Sequence, residues 1–248
     1  MDKTIKELTG YSGSQIYLME GESGLYIKKV NNVERNLERL TDLFKNLYPV
    51  PEIYHAESDI LHMQYIHGLD MKTYLIHNNT SSLINFITDT IDSFSDNSVY
   101  KDYTNTYLKK LEWILDDKNL PFTRDELIER LPKNLPQSTY HGDLTLENII
   151  YQSSGGFYMI DAVKTEYDSY IFDIAKMRQD LECKWFLRNT DLRLDTKLQH
   201  IQDKLKRWYP DAFDDSLLIL MLLRVYLYTK IGDKDCDFIM KEIKRLWK

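Results

Sequence analysis

Near the start of the chain, two short stretches rich in apolar and aromatic residues have the pattern of β-strands. "SQIYLME" (Ser14–Glu20) and "GLYIKKV" (Gly24–Val30) flank "GES", a pattern that predicts a β-hairpin. From Val33 the period lengthens. Val33, Leu37, Leu40, Phe44 and Leu47 recur at steps of four and three, the stripe of an amphipathic helix. "YPVPE" ends that helix, because Pro51 has no amide proton and pushes Val50 toward extended geometry. "EIYHAE" and "ILHMQYI" follow, each short enough for a strand. The pattern describes a strand-rich unit with one helix, ending near Ile66.

After "HGLD" the period becomes helical. "SSLINFITDTIDSF", "YTNTYLKKLEWILDD", "RDELIERL", "DTKLQHIQDKLKRWY" and "DDSLLILMLLRVYLYTK" carry apolar residues at helical spacing. Ser81 or Ser82, and Asp214, are suitable caps for two of them. The strand-like exception is "TYHGD", "NIIYQ" and "FYMID", the last two separated by "SSGG". The expected architecture is α+β. It has two lobes, a small antiparallel-sheet lobe with one helix over residues 1–66 and a larger, mainly helical lobe over 67–248.

Composition narrows the function classes. The chain has 248 residues and a net charge of −7, which argues against a nucleic-acid partner, since such proteins usually carry a basic footprint. The opening "MDKTIKELTG" has no apolar signal region. The longest apolar run, "LLILMLLRVYLY", is interrupted by Arg224 and falls short of the ~20 residues a bilayer span needs. Cys183 and Cys236 fit no metal or redox motif. A cytoplasmic location without membrane insertion is expected; oligomeric state is not encoded in any feature of the sequence.

The candidate chemistry lies between Ser138 and Glu166, "STYHGDLTLENIIYQSSGGFYMIDAVKTE". Asp143 and Asn148 are five apart, and Asp161 closes an apolar run thirteen residues later. This matches the kinase catalytic-loop pattern H-x-D-L-x-x-x-N followed by a metal-binding Asp. Phosphoryl transfer needs a carboxylate to take the proton of the attacking hydroxyl. It also needs hard oxygen ligands to hold Mg²⁺ against the nucleotide phosphates. An Asp on a loop, backed by an Asp at a strand end, places both in one cleft.

"HGDLTLENII", "FYMIDAV" and "FDIAK" together resemble the aminoglycoside phosphotransferase and choline kinase superfamily, small-molecule kinases with a protein-kinase-like fold. Gly142 stands where that family replaces the protein-kinase arginine, and Asp173-Ile174-Ala175 matches its Asp-x-Ala element. The resemblance implies a bilobal fold, ATP or GTP with Mg²⁺ as cofactors, and a small-molecule acceptor. It makes Asp143 the catalytic base, Asn148 and Asp161 the metal ligands, and Asp173 a brace for the catalytic loop.

It also directs attention to the first lobe. "GLYIKKV" resembles the strand whose Lys contacts the phosphates; Lys28 follows Ile27 as in V-A-I-K, with Lys29 as the alternative. Glu38 is the expected ion-pair partner from the next helix, and Glu34 its competitor. Ser12, Gly13 and Ser14 are candidates for covering the phosphates, although the full G-x-G-x-x-G is absent. Backbone groups of Gln64 and Ile66 are candidates for the adenine edge. No G-x-x-x-x-G-K-[ST] occurs.

Between Asp161 and Asp173 there is no room for a peptide-docking activation segment, so a small acceptor is expected. A sugar, polyol or amino alcohol is favoured. An aminoglycoside is the alternative, as is choline or ethanolamine, for which an aromatic usually follows the metal Asp where this chain has Ala162. A nucleotide-binding pseudokinase is the reading from another class. Thr145, Glu147 and Lys176–Asp180 are candidate surroundings of the acceptor.

Overall fold

The computed structural model describes residues 2–8, 13–116 and 119–248. In chain order the first elements are β1 (Lys3–Leu8), β2 (Gln15–Gly21), β3 (Gly24–Val30), α1 (Glu34–Lys45), β4 (Ile53–Glu57), β5 (Ile60–Gln64), β6 (Leu69–Asp70) and α2 (Met71–His77). Next come α3 (Ser81–Ser95), β7 (Val99–Asp102), α4 (Thr104–Lys110), α5 (Arg124–Arg130), β8 (Asn134–Gln137), β9 (Ile149–Gln152) and β10 (Gly156–Met159). The chain ends with α6 (Tyr170–Leu181), α7 (Asp195–Trp208), α8 (Asp215–Tyr226) and α9 (Lys234–Leu246). The mixture of an antiparallel sheet early and helices later is the α+β class the sequence predicts.

Two compact units emerge, Met1–Asn78 with His141–Thr165, and Asn79–Tyr140 with Glu166–Lys248. The boundary expected at Ile66 falls inside the first unit. The stretch His141–Thr165 belongs there because β6 pairs with β9 and the amide of Met159 donates to the Pro49 carbonyl at 2.8 Å.

The first unit carries a five-stranded antiparallel sheet of order β1-β2-β3-β5-β4. Gly21 pairs with Gly24 across a two-residue turn, and Gly24 adopts φ +113°, which a side chain would resist. Ile27 lies opposite Met63 and Lys29 opposite Leu61, so all four share one sheet face. Leu61 and Met63 are buried, which makes this the covered face. Lys28 is opposite His62 and Tyr17 on the other face.

Helix α1 buries a different stripe from the predicted one. Val33 and Leu40 are buried as expected, but the inward positions after Val33 are Asn36, Arg39, Leu40 and Leu43. Phe44 is 45% exposed and Leu47, beyond the helix end at φ +63°, is 91% exposed. A second sheet, β10-β9-β6, is backed by Tyr74, Tyr151 and Phe157, whose ring centroids lie 4.8–5.1 Å apart.

In the second unit α6 packs against α7 and α8, and every residue from Ile171 to Leu181 is buried. Helix α8 is buried continuously from Ser216 to Leu223, and its Asp214 cap accepts from the Ser216 amide at 2.8 Å. Tyr103, Tyr107, Tyr167 and Phe172 form one buried aromatic cluster. The predicted helix over 103–117 breaks after Lys110 into a 3₁₀ turn. "TYHGD", predicted as strand, is irregular; the strand of that region is β8, paired with β7. Among the described residues no helix is long and apolar enough to cross a membrane.

Candidate active site

The site grows from two chain segments laced side by side, 141–148 and 160–163. The amide of Val163 donates to the His141 carbonyl at 3.0 Å, and the amide of Ile160 to the Asn148 carbonyl at 2.9 Å. This lacing is why position 142 must be glycine. Gly142 has φ +90°, and a Cβ there would stand 2.0 Å from the Val163 carbonyl oxygen. Asp161 also lies in the left-handed region, at φ +57°, an unfavourable conformation for a residue with a side chain. The surrounding hydrogen bonds hold it there.

His141 is completely buried, and its Nδ1 accepts from the Asp143 amide at 3.3 Å. Burial pushes its pKa down to about 4; Arg39 adds to the fall, while Asp143 and the backbone at Ile160 oppose it. The ring is neutral near pH 7 and acts as a fixed strut for the loop. Asn148 then orients the carboxylate. Its Nδ2 donates to Asp143 Oδ2 at 3.0 Å and to the Asp143 carbonyl at 2.8 Å. Asp143, half-buried, is thereby held in one orientation.

Asp161 sits at the centre of a second cluster. Lys29, 1% exposed, places Nζ 2.6 Å from Asp161 Oδ1, and the buried Asn36 donates to the same oxygen at 3.0 Å. Desolvation, with Asp143 nearby, raises the Asp161 pKa, and Lys29 and Asn36 pull it back. Two carboxylates in mutual repulsion are the setting a divalent cation relieves. Among the described residues no hydrogen bond engages Asp161 Oδ2 or Asn148 Oδ1. One anionic and one amide oxygen suit Mg²⁺, which takes one or two carboxylates and completes its shell with phosphates and water.

The lysine register differs from the one expected. Lys29, not Lys28, meets a site carboxylate. Strand alternation gives each face of β3 one lysine, and the face with Lys29 is the covered one. Lys28 lies beside His62, whose pKa burial lowers and Lys28 lowers further. Glu38 is not its partner either: it pairs with Lys164 Nζ at 2.7 Å, and Glu34 is exposed at the helix start. Helix α1 reaches the site through Asn36, a polar residue in the buried stripe that the sequence pattern passes over.

Ser12 lies outside the described residues. Gly13 has φ +75°, and Ser14 is buried. The amide of Gln64 donates to the Glu52 carbonyl at 2.8 Å, which leaves its own carbonyl and the Ile66 amide as the groups to consider for a nucleotide base. Glu147 faces Lys72 at 3.7 Å, and Thr145 is buried. Lys176–Asp180 lies wholly inside α6 packing; Arg178 is held by Glu182 and Asp215, and Asp180 accepts from the Phe186 amide.

No family model matches the chain, and no curated protein matches it in sequence. Solved structures do. A thermostable mutant of an aminoglycoside phosphotransferase in its apo form aligns with a TM-score of 0.67 at 11% identity, covering 99% of this chain and 94% of that one. The choline kinase LicA of Streptococcus pneumoniae aligns at 0.62 and 16% identity, covering 100% and 93%. An ethanolamine kinase of Plasmodium vivax aligns at 0.62 and 12%, covering 100% and 82%. Two further structures of that thermostable phosphotransferase are ternary complexes with hygromycin B, one with ADP and one with AMP-PNP. The chain has the protein-kinase-like fold that these aminoglycoside, choline and ethanolamine kinases share.

Proposed function

We propose that the protein is a small-molecule kinase that transfers the γ-phosphate of ATP to a hydroxyl group. The observation that supports this most is the pairing of Lys29 with Asp161, residues 132 positions apart, in the same unit as the Asn148–Asp143 hydrogen bond. A cation for phosphates, a metal-binding carboxylate and an oriented base are the parts that phosphoryl transfer needs.

In this mechanism Asp143 accepts the proton of the acceptor hydroxyl as its oxygen bonds to the γ-phosphorus, while the bond from that phosphorus to the β–γ bridging oxygen breaks and ADP leaves. Asn148 keeps the carboxylate aimed through its amide nitrogen. Lys29 balances charge on the phosphates, and the Gln64 carbonyl and Ile66 amide meet the adenine edge. Asp161 Oδ2 and Asn148 Oδ1 would hold Mg²⁺, which neutralises the phosphate oxygens when bound.

The acceptor favoured is a sugar, polyol or amino alcohol. Ala162 is fully buried, and Tyr103, Tyr107 and Phe172 are spent in the core, so these aromatics do not form a cage for a quaternary ammonium. The test is Mg²⁺-dependent ATP depletion with a panel of sugars, polyols, amino alcohols, choline and aminoglycosides. Acceptor-dependent turnover is expected. Nucleotide binding without turnover on any acceptor would point instead to a pseudokinase.

A further inference from the structure

Helix α1 grips the segment from Asp161 to Lys164 at five points. Asn36 Nδ2 donates to Asp161 Oδ1 at 3.0 Å and to the Ala162 carbonyl at 2.8 Å. Arg35 Nε donates to the Lys164 carbonyl at 2.7 Å, and the Lys164 amide to the Arg35 carbonyl at 2.9 Å. Lys164 Nζ meets Glu38 at 2.7 Å. Of these side chains only Asn36 is buried, and only Asn36 touches a candidate metal ligand.

The chemistry of this contact is unambiguous. A carboxylate and a backbone carbonyl only accept, so the amide must present its NH₂ group, and its two protons match the two acceptors. Lys29 is neutralised here by Asp161 itself, not by a carboxylate from the helix. A carboxylate at position 36 would face Asp161 Oδ1 at the distance Asn36 now spans, and the two would repel. A neutral double donor binds the ionised form of Asp161 without adding charge. It is also the second donor on Oδ1. A Lys29 engaged with phosphates would leave Asn36 as the remaining donor on that oxygen.

We propose that Asn36 is a positioning residue that fixes Asp161 through Oδ1 and keeps Oδ2 available to a divalent cation. The inference rests on the kinase reading and concerns how its metal ligand is held.

Calorimetric titration of ADP, with Mg²⁺ and with EDTA, tests it through the ratio of the two affinities. Asn36→Asp keeps the size of the side chain and removes both donors; Asn36→Leu removes them without adding charge. In both variants the Mg²⁺-dependent gain in affinity is expected to shrink by roughly 10- to 100-fold, as for loss of a hydrogen bond to a charged group. Affinity in EDTA should stay within about threefold. Thermal unfolding confirms that each variant is folded, and Asn36→Asp decides if Asn36→Leu is not. An unchanged ratio in a folded variant overturns the proposal. So does an equal loss with and without metal, the mark of a merely structural residue. If the wild type shows no Mg²⁺-dependent ADP binding, the kinase reading itself falls and the inference with it.

Discussion

Helices α8 and α1 both bury one side or more, but they bury different things. Helix α8 hides an unbroken run, Leu217 to Leu223, made wholly of Leu, Ile and Met. Each such side chain contributes about 1.5–3 kcal/mol when taken from water, so the run stabilises the second unit by apolar burial alone. Helix α1 buries Leu40 and Leu43, yet gives two inward positions to Asn36 and Arg39. Buried polar groups are costly unless paired. Asn36 is paired with Asp161 and Ala162, and Arg39 with Asp42, with its charge also felt at His141. Helix α8 is built for stability, whereas α1 gives up apolar contact to carry groups that reach the candidate site.

The largest expected effect is on the site alone. Asp143→Asn keeps the shape and removes the base, so kcat should fall by about 10²–10⁴ while nucleotide affinity is retained. Steady-state kinetics on the acceptor found by the panel, with calorimetry for the nucleotide, would show whether the two parameters separate. In α8 the opposite is expected. Leu220→Ala should cost about 2–5 kcal/mol in denaturant unfolding and leave nucleotide affinity unchanged in the folded protein.

His141 links the two kinds of effect. Its folded pKa of about 4 lies below the ordinary His value of 6.5. The neutral ring is therefore favoured by the fold, and that contribution is complete above pH 6.5. It is lost as pH falls from 6.5 to 4, by about 3 kcal/mol in total. Chemical denaturation across this window should show the loss, and His141→Gln should flatten it. The smallest effect separates two neighbours on α1. Leu43→Ala should destabilise like a core truncation, whereas Phe44→Ala, at an exposed position, should cost about 1 kcal/mol or less.

This contrast also explains what could be read from the sequence. The β2–β3 hairpin, α3, α5, α7 and α8 follow from apolar periodicity and turn residues, because one physical term dominates in each. The juxtaposition of the Asp143–Asn148 loop with the strand ending in Asp161 is legible because the catalytic-loop pattern fixes residue types and spacing together, and the backbone bonds of Val163 and Ile160 bring the two segments side by side. The α1 stripe differs from the apolar pattern by one position in two turns, Asn36 for Leu37 and Leu43 for Phe44, since Asn36 and Arg39 look like surface residues until their partners are known. Lys28 and Lys29 could not be separated by alternation alone; the choice depends on which sheet face is covered, a tertiary fact. Asn36 left no signal in the pattern, because its partners are more than 120 residues away.

The central claim is that Lys29 and Asp161 form the site of a metal-bound nucleotide, and one measurement addresses it most directly. Calorimetric titration of Mg²⁺-ADP should be run on the wild type, Lys28→Ala, Lys29→Ala and Asp161→Asn. The account predicts binding by the wild type and a change within about threefold for Lys28→Ala. It predicts losses of about tenfold or more for Lys29→Ala and larger ones for Asp161→Asn, where a carboxamide replaces the anionic oxygen that Mg²⁺ prefers. Equal affinities across the four proteins, or a loss confined to Lys28→Ala, would contradict it.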